Sequence, residues 1–392
     1  MRDVAIIGAG QSKFGVFIDR GAKELFVEAF EEALSSVDNG IESREIQEIY
    51  VGNLGVGGGQ LGNFASMIAD YAGLAGIPAV RIENACASSG FAFRAAVLAV
   101  QSGTCDIAVA GGIEKMNDLP RERLRYWLGV SGDTEWERLA GMTFAGVYAL
   151  MAVRHMHQYG TKREHLGMVA VKNHKNGADN PKAHFQRTIT LEQALNSAMV
   201  AYPLTLFDCC PITDGASAAI VCRADLARKY TDTPIYVLGH GASTDRLGLF
   251  EREDFTVLAA TTMAAEQAYK MAKIQPKDVN LAEAHDCFTI AEIMACEDLG
   301  FCKKGEGGKL IESGQTQIGG RIPVNPSGGL KSKGHPIGAT GTGQVYEVFK
   351  QLRGQVVKPS RQVSGAEIGL THNVGGSGGT AVVHILSVSE RK

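Results

Sequence analysis

The 392-residue chain has no run of charge of one sign, and 39 Lys and Arg against 42 Asp and Glu leave a formal net charge of -3. That balance gives no electrostatic reason to expect nucleic acid or an anionic membrane as the main partner, while small anions remain compatible with it. No apolar stretch approaches the roughly 18 residues that span a bilayer. The opening MRDVAIIGAG is a poor signal peptide and a good first strand, and the closing SVSERK carries neither a peroxisomal nor an ER-retention address. Cytoplasm is the expected compartment. The eight cysteines are scattered with no CxxC spacing. A disulfide framework or structural zinc site is therefore not expected, no metal is expected, and the thiols should be reduced.

With 45% hydrophobic and 21% charged residues, a chain of this length buries a large core and divides into two or three domains. Its 48 glycines gather beside short apolar runs at 51–60, 109–114, 325–343 and 372–383. Such clusters let backbone approach backbone or ligand, as at strand ends in layered α/β proteins.

An internal repeat organises the chain. VAIIGAGQSKFG at 4–15 resembles IYVLGHGASTDRLG at 235–248, each an apolar strand expected to break at a G-x-G turn. An Ala-rich helix, a polar turn and another strand follow in both copies, at 27–53 and 263–288. DIAVAGG is then answered by IGLTHNVGG, and ASAAIVCR by GTAVVHIL. The last two strands are adjacent in the second copy and about 100 residues apart in the first. The chain thus reads as an α/β protein of two similar halves, 1–112 (completed by 213–230) and 231–392, with 113–212 inserted as a cover.

Both halves should line a cleft. Residues 87–102 read as a helix closed by Gly103, so Cys86 stands at its start, where free N–H groups and the helix dipole favour a thiolate and can hold an oxyanion. A cysteine among alanines is more often a small buried hydrophobe, and single histidines are more often structural than catalytic. What sets Cys86, His285 of HDCF and His335 of GHP apart is their common setting beside small residues at strand-to-loop or loop-to-helix junctions, where α/β proteins place ligand sites. GAGQSKFG lacks the third glycine of a dinucleotide loop, with Lys13 in its place. His155 and His157 are two apart on a helix, which points them to different faces and argues against a metal pair. DCCP at 208–211 reads as an inert lead into a strand. Lys162, Arg163, Lys172 and Lys175 could meet phosphates or simply be solvated.

CASSG (86–90), HDCF (285–288), NPSGGLKSKGHPIGATG (325–341) and HNVGGSGG (372–379) resemble, in order, the signature blocks of the thiolase family, and the two-half plan is similar from end to end. HDCF, and a last block without cysteine, resemble the sterol-carrier-type and short archaeal or bacterial members. The resemblance implies a layered α-β-α-β-α core and an acetyl-CoA C-acetyltransferase that condenses two acetyl-CoA to acetoacetyl-CoA and CoA by a ping-pong route. Coenzyme A enters as part of substrate and product, without a separate cofactor. The implied roles are Cys86 as acyl-carrying nucleophile and His335 as its base and an oxyanion donor. His285 would hold a water at the enolate oxygen, and the N–H of Gly375 would help hold the acyl-enzyme oxyanion. Where most thiolases place a second catalytic cysteine, this chain has Asn373. Cys287, two residues beyond His285 and so on the same face if the strand persists there, is the candidate for the acid/base, with His372 the fallback. The insertion's Lys162, Arg163, Lys172 and Lys175 are the candidates for the CoA phosphates. The resemblance further implies a homodimer or homotetramer, and an association with hydroxymethylglutaryl-CoA synthase through a small bridging protein in the mevalonate pathway. Degradative 3-ketoacyl-CoA thiolysis, a decarboxylating ketoacyl synthase and a non-catalytic acyl-CoA-binding scaffold are the alternatives.

Overall fold

A computed structural model describes residues 2–59 and 61–390. The chain begins β1 (Val4–Gln11), α1 (Ala22–Ser35), β2 (Glu48–Gly52), α2 (Phe64–Tyr71), β3 (Ala79–Ile82), α3 (Ser88–Ser102) and β4 (Ile107–Glu114). Next come α4 (Arg121–Gly129), α5 (Phe144–Tyr159), α6 (Arg163–Ala178), α7 (Leu191–Leu195) and a short hairpin of β5 (Met199–Ala201) and β6 (Leu204–Thr205). β7 (Gly215–Arg223) and α8 (Ala224–Tyr230) then lead to β8 (Ile235–Thr244), α9 (Ala259–Ala272), β9 (Leu281–Glu283), α10 (Thr289–Asp298) and α11 (Gly307–Glu312). The chain closes with α12 (Gly329–Ser332), α13 (Thr340–Leu352), β10 (Ile368–Gly375) and β11 (Thr380–Ser387).

Nine strands hydrogen-bond in the order β3-β2-β4-β7-β1-β8-β11-β10-β9. The joint is antiparallel, Ala5 opposite Tyr236 and Ile6 opposite Ile235. Outward from it the sequence is the same on both sides: β1, β7, β4, β2 and β8, β11, β10, β9. β3 adds a parallel fifth strand to β2, and an isolated parallel bridge from Ala282 to Val324 is its rudiment in the second half.

Side-chain alternation covers both faces of this sheet. Val4 and Ile6, with Ile235 and Val237, pack with Phe93 and Val97 of α3 and Val345 and Phe349 of α13. Ala5 and Ile7, with Tyr236 and Leu238, face the other way, into a core that contains Phe26 and Phe30 of α1 and Ala264 and Ala268 of α9. The two central helices therefore lie between the half-sheets, with α1 and α9 outside, which is the helix–sheet–helix–sheet–helix layering expected.

The expected G-x-G turns are absent. Gly8 and Gly10 are internal to β1, and Gly239 and Gly241 to β8. A Cβ on Gly10 would sit 2.1 Å from the Ala29 carbonyl oxygen, and one on Gly241 2.0 Å from that of Ala264. The repeated glycines let α1 and α9 lie directly on their strands, a packing role that also explains why the motif resembled a nucleotide loop. Gly10→Val should therefore lose about 1–3 kcal/mol, the usual cost of overpacking, and lower the thermal midpoint. Gly59→Ala, where an added Cβ meets nothing within 4 Å, should leave that midpoint in place.

Candidate active site

The turn before α3 aims Cys86. Ala87 N–H donates to Asn84 O (2.9 Å) and Ser88 N–H to Ala85 O (3.2 Å). The Ser88 hydroxyl donates to Ala85 O (2.6 Å) and accepts from Asn84 N–H (3.0 Å). These bonds hold Ala85 at φ +49°, a left-handed conformation that costs an alanine about 1 kcal/mol or more. Cys86 emerges from it as the residue before the N-cap, Ala87, and the helix ends at Gly103 in the left-handed C-cap, as expected.

His335 arrives from the second half, in the loop before α13. Its main chain forms a parallel bridge with Ile212, and its Nδ1 lies 2.6 Å from Thr340 Oγ1. His285 follows β9. The two imidazoles meet edge to face with centroids 5.1 Å apart. Cys86 Sγ and one nitrogen from each ring lie within 4.8 Å of one another. Both Nε2 atoms are buried without a hydrogen-bond partner, so each ring keeps one polar atom with capacity to spare. Unsatisfied buried nitrogens are costly unless something else uses them.

Burial governs the protonation of this cluster. It pushes the Cys86 thiol up to about 12, against the N–H groups of Gly376 and Cys86 itself, and nearby Glu114 raises it further. Burial also lowers His335 to about 3. His285 falls well below 6.5 through burial and then the neighbouring His335 and His372. The resting site is neutral thiol beside neutral imidazole, which corrects the expectation that the helix start alone would hold a thiolate. Desolvation outweighs the dipole here. Alkylation of the Cys86-bearing peptide by iodoacetamide should then rise about tenfold per unit between about pH 7 and 9, following the thiolate fraction. A rate that is flat over that range would reveal a preformed thiolate–imidazolium pair.

Cys287 is buried. Desolvation raises its thiol strongly, Cys210 and Cys86 act on it electrostatically, and the Tyr148 hydroxyl is its hydrogen-bond partner. Tyr148, from α5, also donates to Gly376 O at 3.3 Å and stacks on Phe288 with centroids 4.7 Å apart. DCCP is not merely a lead-in, since Cys209 bridges antiparallel to Phe288 and Cys210 N–H donates to Cys287 O at 3.0 Å. His372 points away: its Nδ1 accepts from the His285 main-chain N–H (3.4 Å) and its Nε2 meets Thr261 (2.9 Å). Asn373 occupies the pocket instead, its Nδ2 2.9 Å from Cys86 O and 3.2 Å from His285 Nδ1.

Other expectations shift. Gly375 is the last residue of β10 and pairs with Thr380; the N–H beside the Cys86 thiol belongs to Gly376, one residue on, where the chain turns at φ +62°. Two of the four insertion cations are committed to the protein. Lys172 is buried and pairs with Glu292 at 2.8 Å, and Arg163 holds Asp208 and Thr205. Lys162 and Lys175 are exposed. His155 bonds Glu297 and Thr161. Residues unforeseen from sequence are Tyr148, Gly376, Thr340 and Glu114. The Glu114 carboxylate, raised by burial to about 7, accepts from the N–H groups of Leu54, Gly55, Val56 and Gly338. It buckles the loop after β2 to the loop carrying His335. Its place at the end of the VAGGIE glycine cluster was the available signal; nothing in the pattern around Tyr148 marked it.

The thiolase N-terminal domain family matches residues 4–225, and the thiolase C-terminal domain-like family matches 241–388. The chain belongs to the thiolase family, whose members are acyltransferases. Among its relatives is the acetyl-CoA acetyltransferase of Methanothermobacter thermautotrophicus, 52% identical over 388 residues, which span 99% of this chain and 100% of that protein. The protein of the same name from Methanocaldococcus jannaschii is 47% identical over 99% of each chain. Among solved structures, the Ltp2–ChsH2(DUF35) aldolase superposes with a TM-score of 0.85 at 26% identity, covering 100% of this chain and 98% of that one. The thiolase fold accounts for the meeting of two half-chains at Cys86.

Proposed function

We propose that this thiolase is an acetyl-CoA C-acetyltransferase, forming acetoacetyl-CoA and free CoA from two acetyl-CoA. The single observation that carries the reading is the convergence of the Cys86 thiol with one nitrogen from each of two imidazoles within 4.8 Å. The names of the archaeal relatives support the same substrate.

The chemistry runs in two stages. The neutral His335 takes the Cys86 proton as sulfur attacks the acetyl carbonyl, with the Cys86 and Gly376 N–H groups beside the developing oxyanion. CoA leaves as a thiolate and takes a proton from Cys287, whose raised pKa keeps it protonated for that step. What remains is an acetyl-Cys86 thioester, a protonated His335 and a Cys287 thiolate. The second acetyl-CoA loses its α-proton to Cys287, and its enolate oxygen is stabilised by His335 and by a water on His285. Carbon–carbon bond formation releases Cys86, which recovers its proton from His335. A decarboxylating synthase would need no such base, so the buried, Tyr148-bound thiol of Cys287 favours the non-decarboxylating reaction.

Because condensation is uphill, the product must be drawn off. We place the enzyme before hydroxymethylglutaryl-CoA synthase in the mevalonate route, in the cytoplasm, as a homodimer or homotetramer, with a small bridging protein between the two enzymes. The named second component of the Ltp2–ChsH2(DUF35) aldolase supports a partner-bearing fold of this kind. Residues 113–212 form the cover over the site in this reading, with exposed Lys162 and Lys175 available to phosphate.

Purified protein given acetyl-CoA should form acetoacetyl-CoA, followed by its enolate absorbance when product is withdrawn. In Cys287→Ala, acetylation of Cys86 should continue while exchange of the acetyl-CoA methyl protons with deuterated water falls by about a hundredfold or more, the scale of a lost general base. Undiminished exchange would remove Cys287 from the mechanism.

A further inference from the structure

The Asn373 amide fixes more than its own place. Its Nδ2 stands 2.9 Å from the Cys86 carbonyl oxygen, which can only accept, so the amide nitrogen must face it. The same nitrogen stands 3.2 Å from His285 Nδ1. One N–H goes to each. His285 Nδ1 is thereby an acceptor, and the proton of the neutral ring must sit on Nε2, the buried atom without a partner.

His335 is held in the opposite form. The Thr340 hydroxyl donates to Pro336 O at 3.0 Å, leaving its oxygen to accept from His335 Nδ1–H at 2.6 Å. His335 Nε2 is therefore a bare lone pair. Two neutral imidazoles packed edge to face thus offer one proton acceptor and one hydrogen-bond donor.

We propose that Asn373 is a positioning residue that locks His285 with its proton on Nε2, so that of the two imidazoles only His335 can take the Cys86 proton while His285 donates toward the enolate oxygen. The pocket is moulded to this side chain: a Cβ on Gly341 would lie 2.4 Å, and one on Gly90 2.7 Å, from Asn373 Oδ1. A cysteine at 373 could donate only one weak hydrogen bond and could not serve both acceptors. The use made of the His285 donor rests on the condensation reading above; the tautomer does not.

Nitrogen-15 spectra of histidine-labelled protein at neutral pH test this directly, with His285 and His335 assigned by the signals lost in His285→Gln and His335→Gln. His285 should show a protonated Nε2 and a bare Nδ1, and His335 the reverse. A His285 proton on Nδ1 overturns the proposal without any need for an Asn373 variant. In Asn373→Asp, a carboxylate of the same shape can only accept, and His285 should flip to the Nδ1–H form. Condensation should then fall by about a hundredfold, the cost of a lost oxyanion donor, with a smaller loss, under about tenfold, in Cys86 acetylation. A flipped ring with condensation intact overturns the positioning role while leaving Cys287 as base. Undiminished proton exchange in Cys287→Ala would instead sink the base assignment and leave the tautomers standing.

Discussion

Main chain meets main chain where the two halves join, and side chains are excluded there. A Cβ on Gly112, near the end of β4, would lie 2.0 Å from Gly338 O, and one on Gly341, at the start of α13, 2.2 Å from Gly90 N; within the first half, one on Gly52, at the end of β2, would lie 2.3 Å from Ser89 N. The first turns of the two central helices can sit this close to each other and to the strand ends only because these positions carry no side chain. Cys86 lies just before one of those turns and His335 just before the other. Their meeting is therefore a consequence of backbone packing, and the glycine clusters are its sequence trace. A methyl group added at any of these glycines would push apart the turns that carry Cys86 and His335.

That tight packing also desolvates the site. With no counter-charge between Cys86 and the two imidazoles, desolvation leaves all three neutral at rest. Hydrogen bonding then decides what each neutral group can do. Thr340 leaves one imidazole with a bare Nε2, Asn373 leaves the other with a bare Nδ1, and the Tyr148 hydroxyl meets the Cys287 thiol, the proposed acid and base. Glu114 holds the surrounding loops through main-chain donors rather than by touching the reacting atoms. In a low-dielectric pocket such oriented groups need no rearrangement as charge develops.

Much of this was legible in the chain. The repeat specified which strands correspond, and the sheet order agrees pair by pair from the central joint outward. Cys86, His285 and His335 were found because each sits beside glycine or other small residues at an element end. Burial-dependent facts were out of reach. A lysine such as Lys172 reads as a solvated cation in the sequence but lies inside a network with Glu292 and Asn173, and whether a cation faces solvent is a tertiary property. Gly8 and Gly10 looked like a turn because local pattern cannot distinguish a glycine that bends a strand from one that admits a helix. Tyr148 belongs to an ordinary amphipathic helix, and only packing brings its hydroxyl to Cys287. Asn373 was noticed as a departure, but its partners lie 287 and 88 residues away.

The central claim is that Cys86 carries the acyl group. Protein mixed with acetyl-CoA in the absence of an acceptor, quenched in acid and mapped by mass spectrometry, should carry one acetyl group on the peptide that holds Cys86. An acetyl group found only on another of the eight cysteines, or on none, would contradict the account.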